Sequence, residues 1–172
     1  SGMCCGVEQN SYQTLTSMRV ILADGTLLDT GNEESRSSFA QSHGHFLDRL
    51  TGLAKRVTQD KALAERIRHK FSIKNTTGYS LNALVDFEDP FDILQHLMIG
   101  SEGTLGFIAE ITYRTVAEHP FKASNLVFFP DVESACRAVA GLKSQPVDAV
   151  EIMDGAALRS VQDQPGMPES LK

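Results

Sequence analysis

Cysteine is scarce. The chain has three in 172 residues, with Cys4 and Cys5 adjacent and Cys136 alone. No C-x-x-C pair exists and the count is odd. This argues against a disulfide-stapled secreted domain and against a zinc finger, and a reducing, cytoplasmic setting is the default. Basic charge is also short, with 16 Lys and Arg against 22 Asp and Glu and a net charge of -6. That argues against a nucleic-acid binder, which needs a basic surface, and against a protein held on anionic lipid by bulk charge. No apolar run approaches the ~20 residues of a membrane helix. No charged-then-apolar leader is seen, so no signal peptide is expected. What is present is 41% hydrophobic and 22% charged residues, a globular composition that excludes disorder as the main state. The length suits one ordinary domain, or one domain and part of a second.

The ends, Ser1-Gly2-Met3-Cys4-Cys5-Gly6 and Gln162-Asp163-Gln164-Pro165-Gly166-Met167-Pro168, read as interior points of a longer protein. An incomplete site is expected. Met18 to Leu22 is apolar and β-prone, and Asp24-Gly25 before Thr26-Leu27-Leu28 predicts a hairpin with a two-residue turn. From Phe46 the period changes. Phe46, Leu47, Leu50, Leu53, Ala54 and Val57 make one helical stripe. Thr58 is a candidate cap for a further helix carrying Ala62, Leu63 and Ile67. Lys74 to Tyr79 reads as a polar loop, followed by a short helical turn at Leu81, Leu84 and Val85.

Asp89-Pro90 marks a helix start, with aspartate as cap and proline in the first turn. Ile93, Leu94, Leu97 and Met98 form its buried side. Gly100, Gly103 and Gly106 then lead into a strand from Phe107 to Val116. Phe107, Ala109, Ile111 and Tyr113 are its expected core face. Beyond His119-Pro120, Leu126–Phe129 and Val147–Met153 read as strands. Helices are expected through Ala135, Val139 and Leu142, and over Gly155–Val161. The fold class is α+β.

Three glycines in seven residues let a backbone turn sharply and lie close to a ligand, with amides free to donate to phosphate. Dinucleotide and P-loop fingerprints place such a loop after a strand and before a helix. Here the order is helix, loop, strand. Neither a Rossmann site nor a Walker loop fits, and a plain tight turn stands beside ligand contact. Other candidates have bland readings too. His43 and His45 lack a third metal ligand and read as solvated, and His69, His96 and His119 as surface or helix-end groups. Glu102 fits a cap or hydrogen-bond role at least as well as a functional carboxylate. No metal site is expected.

Gly100-Ser101-Glu102-Gly103-Thr104-Leu105-Gly106-Phe107-Ile108 resembles the signature of FAD-linked oxidases of the vanillyl-alcohol-oxidase type, with a PCMH-type FAD-binding domain. Lys74-Asn75-Thr76-Thr77-Gly78-Tyr79-Ser80-Leu81 is similar to the preceding loop of D-lactate, glycolate and D-2-hydroxyglutarate dehydrogenases. Ser1 to Gly6, with Asn10-Ser11-Tyr12 and Ala23-Asp24-Gly25, resembles that family's flavin-side segment. The helical insert between residues 33 and 72 is most like the large bacterial members with a C-terminal iron–sulfur region.

The resemblance implies that residues 1–120 are the second subdomain of the FAD-binding domain. Residues 121–172 would begin a ferredoxin-like cap domain that binds substrate. Ser1, Gly2, Cys5 and Gly6 would approach the pyrophosphate and ribityl chain. Lys74, Asn75 and Gly78 would lie towards the flavin ring, with Lys74 either a cation near the ring or a solvated charge. Glu102, Gly103, Gly106, Phe107 and Ile108 would run beside the cofactor. FAD would be noncovalent, and a 4Fe-4S cluster would lie outside these residues. The implied activity is hydride transfer from a D-2-hydroxyacid such as D-lactate or D-2-hydroxyglutarate, with electrons passed to a carrier. No catalytic base is assigned, and these residues alone are not expected to turn over. The alternatives are an FAD-linked alcohol or sugar oxidase and a non-catalytic nucleotide-binding module. The location is read as cytoplasmic, with peripheral association at the inner face of the cell membrane as the alternative.

Overall fold

A computed structural model of the chain describes residues 7–118, 120–142, 144–161 and 163–166. It divides into two compact units, Ser1–Ala117 and Glu118–Lys172. In the first, a short helix α1 (Ser11–Thr14) leads into strand β1 (Leu15–Ile21), which pairs antiparallel with β2 (Leu27–Asp29). Helices α2 (Glu33–Gln59), α3 (Lys61–Phe71), α4 (Ala83–Asp86) and α5 (Pro90–Met98) follow, and β3 (Phe107–Tyr113) closes the unit. The sheet order is β2-β1-β3.

The expected hairpin forms, but its turn is longer than expected. Gly25 N–H donates to the Leu22 carbonyl at 2.9 Å, and Leu22 N–H to the Thr26 carbonyl at 2.9 Å. The loop is therefore Ala23-Asp24-Gly25, with only Gly25 at positive φ (84°). This is the three-residue hairpin that ends in a glycine bulge, and it asks for one left-handed residue where a two-residue turn asks for two.

Helix α2 begins well before Phe46. Asn32 caps it by accepting from Ser35 N–H, and the backbone leaves helical geometry at His43 (φ -122°, ψ 25°). The His43 ring stacks on Phe39 at 4.3 Å. Its Nε2–H donates to Asp24 Oδ2 at 2.8 Å, and Ser42 Oγ lies 2.8 Å from its Nδ1. The bond to His43 is the main reason the Asp24 carboxyl is held down to about 2. His43 thus fastens the bend of α2 to the hairpin turn, a tertiary role that the solvated reading missed. Leu47, Leu50, Ala54 and Val57 are buried at steps of three and four, whereas Phe46 and Leu53 stay partly exposed. Asp60, not Thr58, caps α3 by accepting from Leu63 N–H at 3.0 Å. The Thr58 hydroxyl instead donates back to the Ala54 carbonyl. A threonine inside a helix satisfies itself on the preceding turn, so it is lost as a cap.

Helix α5 starts as its sequence requires, with the Asp89 carboxylate accepting from Phe91 and Asp92 N–H. All of its residues from Ile93 to Met98 are buried. They pack with Met18 and Val20 of β1, Leu28 of β2 and the inner stripe of α2. Sheet and helix are also joined through buried polar groups. Met18 N–H donates to Thr30 Oγ1 at 2.9 Å, and that hydroxyl donates to Gln95 Oε1 at 2.6 Å. A shared hydroxyl of this kind avoids the cost of an unpaired buried amide.

Strand β3 departs from the expected alternation. It ends at Tyr113, Phe107 is 66% exposed and Ala109 is exposed, while Ile108 and Ile111 are half-buried. The cause is a register shift, since Arg19 pairs with Glu110 but Val20 pairs with Ile108. A bulge adds one residue and moves the following side chains to the other face.

In the second unit, α6 (Val132–Leu142) and α7 (Gly155–Val161) form where expected. Asp131 accepts from Ser134 N–H and Asp154 from Ala157 N–H, both at 2.7 Å. The strands expected at 126–129 and 147–153 are not found among the described residues. A β-prone segment becomes a strand only when another segment pairs with it. Apolarity alone does not supply that partner.

Candidate functional site

A groove of about 400 Å³ opens in the first unit. Its walls come from four places in the chain: Asn10 to Tyr12 at α1, Phe71 at the end of α3, the loop Lys74 to Ser80, and the turn Ile99 to Glu102. Ile108, Ile111 and Tyr113 of β3 form its floor. The bulge that disturbs β3 is what brings Ile108 onto the face shared by Ile111 and Tyr113.

The glycine loop is two linked turns. In the first, Ser101 N–H donates to the Met98 carbonyl at 3.1 Å, with Ile99 at φ -67°, ψ 117° and Gly100 at φ 82°. Those angles define a type II turn, and glycine suits its third position. In the second, Thr104 N–H donates to the Ser101 carbonyl at 3.0 Å, with Glu102 at φ 53° and Gly103 at φ 79°. Two consecutive positive φ values define a type I′ turn. Glu102 is the one non-glycine residue at positive φ among those described. A residue with a Cβ in this region costs about 1–2 kcal/mol. The two turn bonds engage the N–H groups of Ser101 and Thr104, and neither engages those of Gly100, Glu102 or Gly103.

The two rims of the groove are stitched together. Ser80 Oγ donates to the Ile99 carbonyl at 2.8 Å. The Thr104 hydroxyl donates to the Ser101 carbonyl at 2.6 Å, and Tyr79 Oη lies 2.9 Å from Thr104 Oγ1. A hydroxyl has one proton. Thr104 gives its own to a carbonyl, so Tyr79 is the donor to Thr104.

In the α1 wall, Tyr12 is buried and donates to Asp86 Oδ2 at 2.8 Å, which also accepts from Asn82 Nδ2 at 3.0 Å. Burial, then the Asp86 hydrogen bond and charge, raise the Tyr12 hydroxyl far above its ordinary range. His96 stands in the last turn of α5, as expected of a helix-end group, but not on the surface. It is buried, stacked on Phe87 at 4.0 Å and edge-on to Tyr12 at 4.8 Å. Its Nδ1–H donates to the Asp92 carbonyl at 2.7 Å. Burial lowers its pKa, so the neutral ring is favoured.

Of the expected site residues, Lys74, Asn75, Gly78, Glu102 and Ile108 meet at this groove. Gly103, Gly106 and Phe107 do not line it. Gly103 shapes the turn. Gly106 is a packing glycine, because a Cβ there would stand 2.9 Å from the Ile21 carbonyl and 3.1 Å from Met98 Cε. Ser1, Gly2, Cys5 and Gly6 lie outside the described residues. Tyr12, Phe71, Ile111 and Tyr113 line the groove without having been singled out as site residues. Ile111 and Tyr113 read as core from their alternation, and the bulge that brings Ile108 to their face has no sequence signal. No group of three or more His, Cys, Asp or Glu able to hold a metal ion occurs among the described residues.

Residues 118–172 match the family described as FAD linked oxidases, C-terminal domain. The match coincides with the second structural unit. A D-2-hydroxyglutarate dehydrogenase from Xanthomonas citri pv. viticola is 36% identical over 81 residues, which are 46% of this chain and 17% of that protein. Both similarities support one class, the FAD-linked oxidoreductases. The chain thus matches about a sixth of the length of this curated relative. No solved structure matches it.

Proposed function

We propose that the chain is part of an FAD-dependent oxidoreductase acting on a D-2-hydroxyacid of the D-2-hydroxyglutarate or D-lactate type, and that the groove holds part of a noncovalently bound FAD. The observation that carries the reading is the meeting of the Lys74–Ser80 loop and the Gly100–Glu102 turn at one groove. This occurs in a chain whose following residues match the C-terminal domain of FAD-linked oxidases.

The donor set fits the cofactor. Phe71, Ile108, Ile111 and Tyr113 offer apolar and aromatic surface for a ring, and Lys74 and Asn75 offer a cation and an amide. The turn adds N–H groups that its own two hydrogen bonds do not use. Ligand sites typically combine an apolar wall with a few placed polar groups, in volumes of roughly 300–1,000 Å³. When bound, FAD supplies a ring that accepts a hydride. In this reading Lys74 and Asn75 orient the cofactor by charge and hydrogen bonding. The apolar side chains of β3 keep water from its face.

The test is anaerobic mixing of the full-length protein, loaded with FAD, with D-2-hydroxyglutarate, D-lactate and the L enantiomers. Bleaching of the flavin band by a D acid and not by its L partner is expected. A protein that binds no FAD would sink the reading. Reduction only by an alcohol or sugar, with fast reoxidation by oxygen, would transfer it to the oxidases.

A further inference from the structure

We infer that Tyr79 and Thr104 form a latch that holds the Ser101–Thr104 turn in its ligand-ready shape, making them positioning residues for the cofactor. The inference rests on the reading of the groove as part of an FAD site.

The turn needs such a device. Its Glu102 sits at φ 53°, a conformation that a residue with a Cβ leaves readily unless neighbours hold it. The hydrogen bonds run in one direction, from the Tyr79 hydroxyl to Thr104 Oγ1 and from the Thr104 hydroxyl to the Ser101 carbonyl. Thr104 N–H also reaches that carbonyl, closing the turn from the backbone. The relay therefore starts on one rim of the groove and ends on the residue that begins the turn on the other. The two rims also meet in the backbone, where a Cβ on Gly100 would lie 3.6 Å from the Gly78 carbonyl. Tyr79 is 43% exposed and Thr104 is also on the surface, so neither side chain is needed to fill the core. What the pair fixes is the position of Glu102 and of the N–H groups at the groove.

The experiment measures FAD affinity of the full-length protein by flavin fluorescence, with the apo-protein melting temperature as a folding control. Tyr79→Phe and Thr104→Val should each raise the FAD Kd about two- to tenfold, the range for loss of one ordinary hydrogen bond. Thr104→Ser keeps the hydroxyl and should restore wild-type affinity. Combining Tyr79→Phe with Thr104→Val should cost no more than either alone, because both break the same relay. In a Glu102→Gly background the Tyr79→Phe penalty should shrink, since glycine holds positive φ without help. A merely structural role would not give that dependence. Folded Tyr79→Phe and Thr104→Val proteins with wild-type Kd overturn the latch while leaving the FAD reading intact. A wild-type protein that binds no FAD overturns both.

Discussion

His96 shows how much one residue's role depends on what packs over it. As a letter at the end of a helix it suggests a solvated base. In place it lies between Phe87 and Tyr12, its Nδ1 proton given to the Asp92 carbonyl. Asp92 and Asp86 nearby favour its charged form, but burial outweighs them, and the folded pKa falls below the ordinary 6.5. Below pH 6.5 the unfolded chain then binds more protons at this site than the folded one. Stability from this group is complete above about 6.5 and is lost as pH falls through the lowered folded value. Urea denaturation across pH 7 to 5 should show a falling midpoint in the wild type and a smaller fall in His96→Gln. Identical slopes in the two proteins would remove His96 from the account. Gly106 teaches the same lesson in reverse. It stands inside a glycine-rich signature, yet its missing side chain makes room for the Ile21 carbonyl and Met98.

Elements with local stop and start signals were legible from the sequence. Asp89-Pro90 set the start of α5, and the three- and four-residue spacing set the buried stripe of α2. Caps work through atoms two or three residues away, so short-range sequence contains the information. Asp89→Ala should lower stability by about 1–2 kcal/mol, the upper range for a lost cap. It removes the acceptor of Phe91 and Asp92 N–H and the 2.7 Å ion pair with Arg36 that ties α5 to α2. Equilibrium unfolding measures this, and an unchanged midpoint would show that the cap is replaced by water. Elements that depend on distant chain were not legible. The β3 bulge answers to the register of β1: Ile111 packs against the core as expected, but Ile108 takes the inner face in place of Phe107 and Ala109. The strands expected at 126–129 and 147–153 had the composition but no pairing segment among the described residues.

The whole chain joins two units of different character. The first has a continuous apolar core running from β1 through α5 to the inner stripe of α2. In the second, no described side chain of α6 or α7 is buried. Local stability follows buried contacts. Amide hydrogen exchange should therefore be slowest in β1 and α5 and faster by orders of magnitude in α6 and α7. Equal protection in α6 and α5 would contradict this.

Composition and charge served to exclude classes, and the resemblance of the two loop motifs to those of FAD-linked oxidases was enough to point to a class of chemistry. Turn residues and helix periods act over a few positions, and a sequence records those directly. Only the tertiary structure decided which of those residues share a groove. It placed Lys74, Asn75, Gly78, Glu102 and Ile108 together, left Gly106 and Phe107 out, and brought in Tyr12, Phe71, Ile111 and Tyr113. The reason is that a groove is made by chain segments far apart in sequence, and which side chains face it depends on strand register and burial. Those are settled by packing between elements, not within any one of them.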